Sequence, residues 1–112
     1  MPSRTYRGRH SKNKPTDSEL IVRVFREARC ACSPVDPDEW FPISPDVARA
    51  RTEAARAIAV CTTCPVRPDC LEFSLRHAYD AGAYGVWGGL VERERRTLRR
   101  RWLAGASVSE LI

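Results

Sequence analysis

Cys61-Thr62-Thr63-Cys64-Pro65-Val66-Arg67-Pro68-Asp69-Cys70 is the stretch on which the fold turns. A two-residue gap lets the thiolates of Cys61 and Cys64 bind one metal centre without straining the backbone. Cys70 follows six residues later, after a tight connector with Pro65 and Pro68, at the start of a helix predicted from about Asp69 to Tyr79. The partial positive charge at a helix N-terminus favours a thiolate there. A fourth ligand must come from upstream, and both Cys30 and Cys32 are available. Four cysteines suit tetrahedral zinc, although structural zinc sites usually pair two CxxC knuckles and this chain has one. An iron–sulfur cluster is wider and accepts ligands from separated loops. Spacing therefore points to a metal site rather than inert cysteines and leaves iron–sulfur and zinc both open.

The rest of the chain needs such a centre. With 112 residues it is long enough for one modest domain, and a domain of that size buries little apolar surface for its length. Five cysteines stand against a single Met, so the sulfur is mostly thiol. The first 14 residues are basic and polar, with no apolar run able to enter a membrane, which predicts a cytoplasmic protein with no membrane contact. In a reducing cytosol clustered cysteines bind metal or do redox chemistry more often than they form lasting disulfides.

Charge divides the chain. Arg4, Arg7, Arg9, Lys12 and Lys14 carry the first stretch without an acid; the middle, to residue 91, has eight arginines against eleven acids; residues 92–112 have six arginines against three glutamates. Basic ends around a mildly acidic centre predict three parts: a disordered arm over 1–15, a metal-binding helical domain over 16–91, and a basic helix and tail over 92–112. Arg7-Gly8-Arg9 is a weak match to a minor-groove hook because His10 replaces the usual proline.

Local signals predict an all-α fold of about four helices. Thr16 and Glu19 have capping-box spacing ahead of Leu20, Ile21, Val24, Phe25 and Ala28, which predicts a first helix to about Arg29. Four prolines between Cys30 and Pro45 break the chain into a loop with an aromatic foot at Trp40. Ser44 and Pro45 predict the start of a second helix to about Val60. Gly85-Val86-Trp87-Gly88-Gly89 is too rich in glycine for helix or strand and predicts a sharp turn presenting Trp87. A last helix is expected over Val91–Leu103, with Ser107 and Glu110 capping a short terminal turn. Trp87 has two readings, a lid over the metal site or a hot spot for a partner. Arg93, Arg95, Arg96, Arg99, Arg100 and Arg101 crowd the last helix, and guanidinium forks suit phosphate, so contact with the DNA backbone is expected.

Taken together, Cys61 to Leu71, the run Gly85 to Arg96, Cys32 three residues ahead of Asp36-Pro37, and Trp40-Phe41-Pro42 resemble the WhiB-like family of actinobacteria and their phages over roughly residues 28–101. The resemblance implies one [4Fe-4S] cluster per chain, wrapped by the helices and held by Cys32, Cys61, Cys64 and Cys70. It also implies a transcription regulator, monomeric until bound, that docks on the C-terminal domain of the principal sigma factor of RNA polymerase through Trp40, Phe41, Pro42, Gly85, Val86, Trp87, Gly88 and Gly89. Promoter DNA would be met by the basic helix, and nitric oxide or oxygen would act on the cluster. Cys30 is a departure from the family pattern, either a spare thiol or an inert one.

Two rivals follow from the residues. One is an apo-form protein disulfide reductase using Cys61 and Cys64, although redox CxxC motifs are expected beside a βαβ pattern that this chain lacks. The other is a zinc-stapled DNA-binding module. No Ser/His/Asp set, phosphate loop or carboxylate pair argues for an enzyme, and His77 is expected on a helix surface.

Overall fold

The computed structural model describes residues 14–112, apart from the side chains of Ala31 and Cys32. Most of the expected basic arm therefore lies outside the described residues. Six α-helices follow one another among those described: α1 (Asp17–Glu27), α2 (Val47–Glu53), α3 (Ala55–Thr62), α4 (Arg67–Arg76), α5 (Glu92–Leu103) and α6 (Val108–Leu111). Two 3-10 turns, Arg29–Cys32 and Pro37–Trp40, sit in the proline-rich loop.

The capping signals govern where helices begin. Thr16 accepts from the Glu19 N–H at 3.1 Å while the Glu19 carboxylate accepts from the Thr16 N–H at 2.8 Å, closing the expected box. Ser107 and Glu110 start α6 in the same way, with 2.6 Å from the Ser107 N–H to the Glu110 carboxylate. α4 begins two residues earlier than expected, because Pro68 fits the first turn of a helix, where its missing N–H has no intrahelical partner to lose. The second helix departs further. Its cap is Asp46, which accepts from the Arg49 N–H at 2.9 Å, rather than Ser44. It also bends at Ala54, which divides α2 from α3. Ala54 is wholly buried among Ala50, Ala57, Ile58 and Val91, so the bend serves packing and not local propensity.

Two small cores result. The first gathers those residues with Trp40, Val47 and Val86 packed on them. The second holds Leu71, Leu75, Leu90, Trp102 and Leu111. Leu90 and Val91 are neighbours that enter different cores, so the segment after the glycine turn joins the two. Each fully buried Leu contributes about 1.5–3 kcal/mol, and such contributions are few in a domain this size.

α1 packs chiefly on α4, burying Leu20 and Val24 but leaving Phe25, expected on the buried face, 79% exposed. Asp17 ties the pair together, accepting from Arg76 at 2.8 Å and lying 2.9 Å from His77 Nε2. His77 thus caps the end of α4 half-buried, between the carboxylates of Asp17 and Asp80, rather than on a bare surface. The Arg76 hydrogen bond holds the Asp17 carboxyl below its ordinary value of 3.8, with His77 adding to the effect. A depressed carboxylate stabilises the fold above that value, and the contribution disappears as pH falls through the folded pKa. Half-exposure limits it to under about 1 kcal/mol. Asp17→Asn should therefore melt slightly below the parent at neutral pH and level with it in acid. A gap in melting temperature that stays constant down to about pH 2 would contradict this assignment.

Candidate functional site

Cys61 closes α3, and the chain turns tightly from there, with the Cys64 N–H on the Cys61 carbonyl at 3.1 Å and the Arg67 N–H on the Cys64 carbonyl at 3.3 Å. Cys70 stands in the first turns of α4, its N–H on the Val66 carbonyl at 2.8 Å. All three line one cavity of about 730 Å³, and Cys30 lines it too. Val24, Phe25, Trp40, Phe41 and Val66 supply apolar wall. Cys32 shares its 3-10 turn with Cys30, but its side chain lies outside the described residues. Among the described residues no three His, Cys, Asp or Glu side chains converge on a single ion.

The glycine turn closes this cavity on one side. Gly88 and Gly89 have φ of 59° and 79°, and Trp87 and Leu90 exchange hydrogen bonds of 3.2 and 3.1 Å, a reversal of type I′ character that needs positive φ at both central residues. The Gly88 N–H faces the Cys70 sulfur and the Gly89 N–H that of Cys61, each favouring the thiolate. A Cβ at Gly88 would lie 2.8 Å from the Cβ of Leu71, so the close approach of turn to helix excludes larger residues. Arg67 Nε holds the turn from below, donating to the Gly88 carbonyl at 3.0 Å.

Burial pushes the Cys70 thiol up to about 12 and the Cys61 thiol up to about 11, outweighing those N–H donors. The thiolate expected at the start of α4 is thus not favoured by position alone, because desolvation is the larger effect. The protonated Cys61 is the opposite of a thiol–disulfide exchange nucleophile, which reacts as the thiolate.

The two segments expected to meet a partner lie side by side. The Val86 N–H donates to the Trp40 carbonyl at 2.8 Å. The Phe41 ring covers Gly85, where a Cβ would come within 2.8 Å of it. Trp87 is half-buried, stacked on Phe73 at 5.8 Å between centroids, with its indole N–H on the Tyr84 carbonyl at 2.9 Å. Pro42 is half-buried, while Phe41 and Ile43 are 59% and 90% exposed.

The arginines of α5 divide. Arg93, Arg96, Arg100 and Arg101 are exposed. Arg99 is half-buried, donating from Nε to the Leu75 carbonyl at 3.1 Å. Arg95, expected among the DNA-contacting residues, is instead buried, donating to the carbonyls of Gly85 at 2.6 Å, Leu90 at 2.7 Å and Gly82 at 3.1 Å. Burial pulls its pKa down to about 10, still far above neutrality, so it stays charged. The sequence held a signal for this: Val91, Arg95, Leu98 and Trp102 recur at the spacing of the helix's inner stripe. Arg67 gave no such signal, because its role depends on a turn 21 residues away.

Residues 27–98 match the family described as transcription factor WhiB. The chain is 45% identical over 74 residues to the transcriptional regulator WhiB1 of Bifidobacterium longum, covering 66% of this chain and 76% of that protein. It is 40% identical over 73 residues to WhiB1 of Mycobacterium tuberculosis, covering 65% and 82%. With WhiB of Streptomyces coelicolor the identity is 40% over 74 residues, covering 66% and 75%. These relatives are named as transcriptional regulators and not as enzymes, and a family match over well more than half the sequence leads to one conclusion: this chain belongs to the WhiB family of transcription factors.

Proposed function

We propose that this WhiB-family regulator works in the cytoplasm as a [4Fe-4S] protein whose cluster state governs docking on the principal sigma factor and, through it, action at promoter DNA. The observation that carries this reading is that Cys61, Cys64, Cys70 and the exposed Cys30 all line one largely apolar, open cavity beneath a turn whose N–H groups face two of the sulfurs. Soft thiolates, an apolar wall and N–H donors to sulfur are what an iron–sulfur centre requires of its surroundings. Cys32, Cys61, Cys64 and Cys70 would hold it. When bound, the cluster supplies an inorganic centre reactive toward nitric oxide and oxygen.

This chain's own residues do the rest. Gly88 and Gly89 link the sulfurs of Cys70 and Cys61 to the turn carrying Trp87, so a change at the ligand set is felt at the face formed with Trp40, Phe41 and Pro42. A large aromatic on a short, constrained turn loses little entropy when a partner covers it, which suits Trp87 to a sigma-factor contact. Arg93, Arg96, Arg100 and Arg101 remain free to face DNA phosphate, adding affinity without base choice. The chain is a monomer until it meets sigma.

The test is purification without oxygen, followed by iron and sulfide counts, a visible spectrum, and co-elution with the sigma C-terminal domain before and after nitric oxide. Equal iron and sulfide, with co-elution lost on nitric oxide, is the expected result. Colourless protein holding one zinc per chain would replace this reading with a zinc-stapled module.

A further inference from the structure

A second cleft of about 590 Å³, sharing Tyr84 with the thiol cavity, opens between α5 and the loop after α4, lined by Arg96, Arg99, Arg100, Glu92, Tyr79 and Tyr84 among others. We propose that this cleft binds single-stranded nucleic acid, with phosphates on Arg96, Arg99 and Arg100 and bases stacked on Tyr79 and Tyr84. The proposal rests on reading α5 as a nucleic-acid helix and adds a second element and a strand preference to it.

Charge is the first ground. The side chains of Arg96 and Arg100 make no hydrogen bond or ion pair among the described residues, and the Arg99 guanidinium donates from Nε to the Leu75 carbonyl and lies over the Trp102 ring, 5.9 Å from its centroid. Glu92, the acid of the cleft, is engaged by the Gly85 N–H at 3.2 Å and leaves the arginines in excess. Aromatic exposure is the second ground. Tyr79 is 87% and Tyr84 69% exposed, though both belong to a loop that is otherwise well anchored. Phosphate contact alone gives no reason to hold two rings in water beside an arginine cleft; base stacking does. The rim is also preformed. Arg95 fixes the Gly82 and Gly85 carbonyls on either side of Tyr84, and the Arg99 guanidinium lies 5.2 Å from the centroid of Tyr79. Little ordering is therefore needed on binding.

The test uses the full chain, prepared without oxygen, and fluorescence anisotropy with a labelled oligothymidylate of about 12 nucleotides, beside a mixed-sequence duplex of equal length. Tyr79→Leu should weaken the single-strand complex about tenfold while Tyr79→Phe keeps it, and neither should change duplex binding. Arg96→Gln with Arg100→Gln should weaken both complexes and reduce the single-strand salt slope by roughly 1.4. Circular dichroism melts keep loss of folding apart from loss of contact. The proposal is overturned if Tyr79→Leu binds oligothymidylate like the parent, or if the parent binds duplex and ignores the single strand. In the second case the promoter contact stands without the cleft. If both nucleic acids are ignored while iron content and sigma co-elution persist, cleft and DNA contact fall together and the cluster reading survives.

Discussion

Arg95→Met should lower the melting temperature of the domain by about 10–20 °C, although it removes a surface-looking arginine from a run of six. The guanidinium is 4% exposed and gives two hydrogen bonds from Nη1 and one from Nη2 to the carbonyls of Gly85, Leu90 and Gly82. Methionine fills much the same volume but donates nothing, so the Gly82 and Gly85 carbonyls lose their partner while the Leu90 carbonyl keeps only the Trp87 N–H. Each carbonyl left buried and unpaired costs about 1–3 kcal/mol, from which the relief of no longer burying a charge must be subtracted. A net loss of about 3 kcal/mol is large beside the 5–15 kcal/mol typical of whole domains. The damage should also be specific: those carbonyls shape the loop and turn from Gly82 to Leu90, so Trp87 loses its setting. Arg93→Met, at an exposed position of the same helix, is the control and should melt with the parent. Identical melting curves for Arg95→Met and the parent, followed by far-ultraviolet circular dichroism, would refute the role assigned to the buried fork.

Cys70→Ser, prepared without oxygen, should contain almost no iron or sulfide, and Cys32→Ser, Cys61→Ser and Cys64→Ser should behave alike, whereas Cys30→Ser keeps both. Serine is nearly isosteric with cysteine but offers a hard hydroxyl where a soft thiolate is needed. The consequence extends past the metal. Cys61, Cys64 and Cys70 face a cavity of about 730 Å³ whose lining comes from α1, the proline-rich loop, α3, α4 and the glycine turn. With no centre to fill it, that space would admit water between those elements, and small metal domains commonly lose their fold with their metal. Limited proteolysis should accordingly cut the serine variants faster than the parent. Wild-type iron and sulfide in Cys70→Ser would remove Cys70 from the ligand set.

Much of the architecture could be read from short-range chemistry. Thr16 with Glu19 and Ser107 with Glu110 are interactions within one helical turn, and each begins a helix where the spacing predicts, whereas Pro68 lets α4 start two residues sooner. The glycine pair at 88 and 89 announces positive φ, because other residues resist that conformation. The CxxC with Cys70 six residues on keeps three sulfurs close in the chain, and all three line one cavity.

Other features were decided only when distant segments met. The bend at Ala54 serves a core that includes Val91, and nothing between Arg51 and Arg56 breaks a helix locally. Gly82 looks like a helix stop but is required because a Cβ there would collide with the backbone carbonyl of Ser74. Burial overrides the helix-end preference that would have made Cys70 a thiolate. Arg95 shares its composition with its neighbours and differs only in facing inward. Local sequence determines caps, turns and ligand spacing because their energies lie within one turn of chain. Desolvation, and the choice of which arginine is buried, depend on what packs against a residue, and only the assembled fold supplies that.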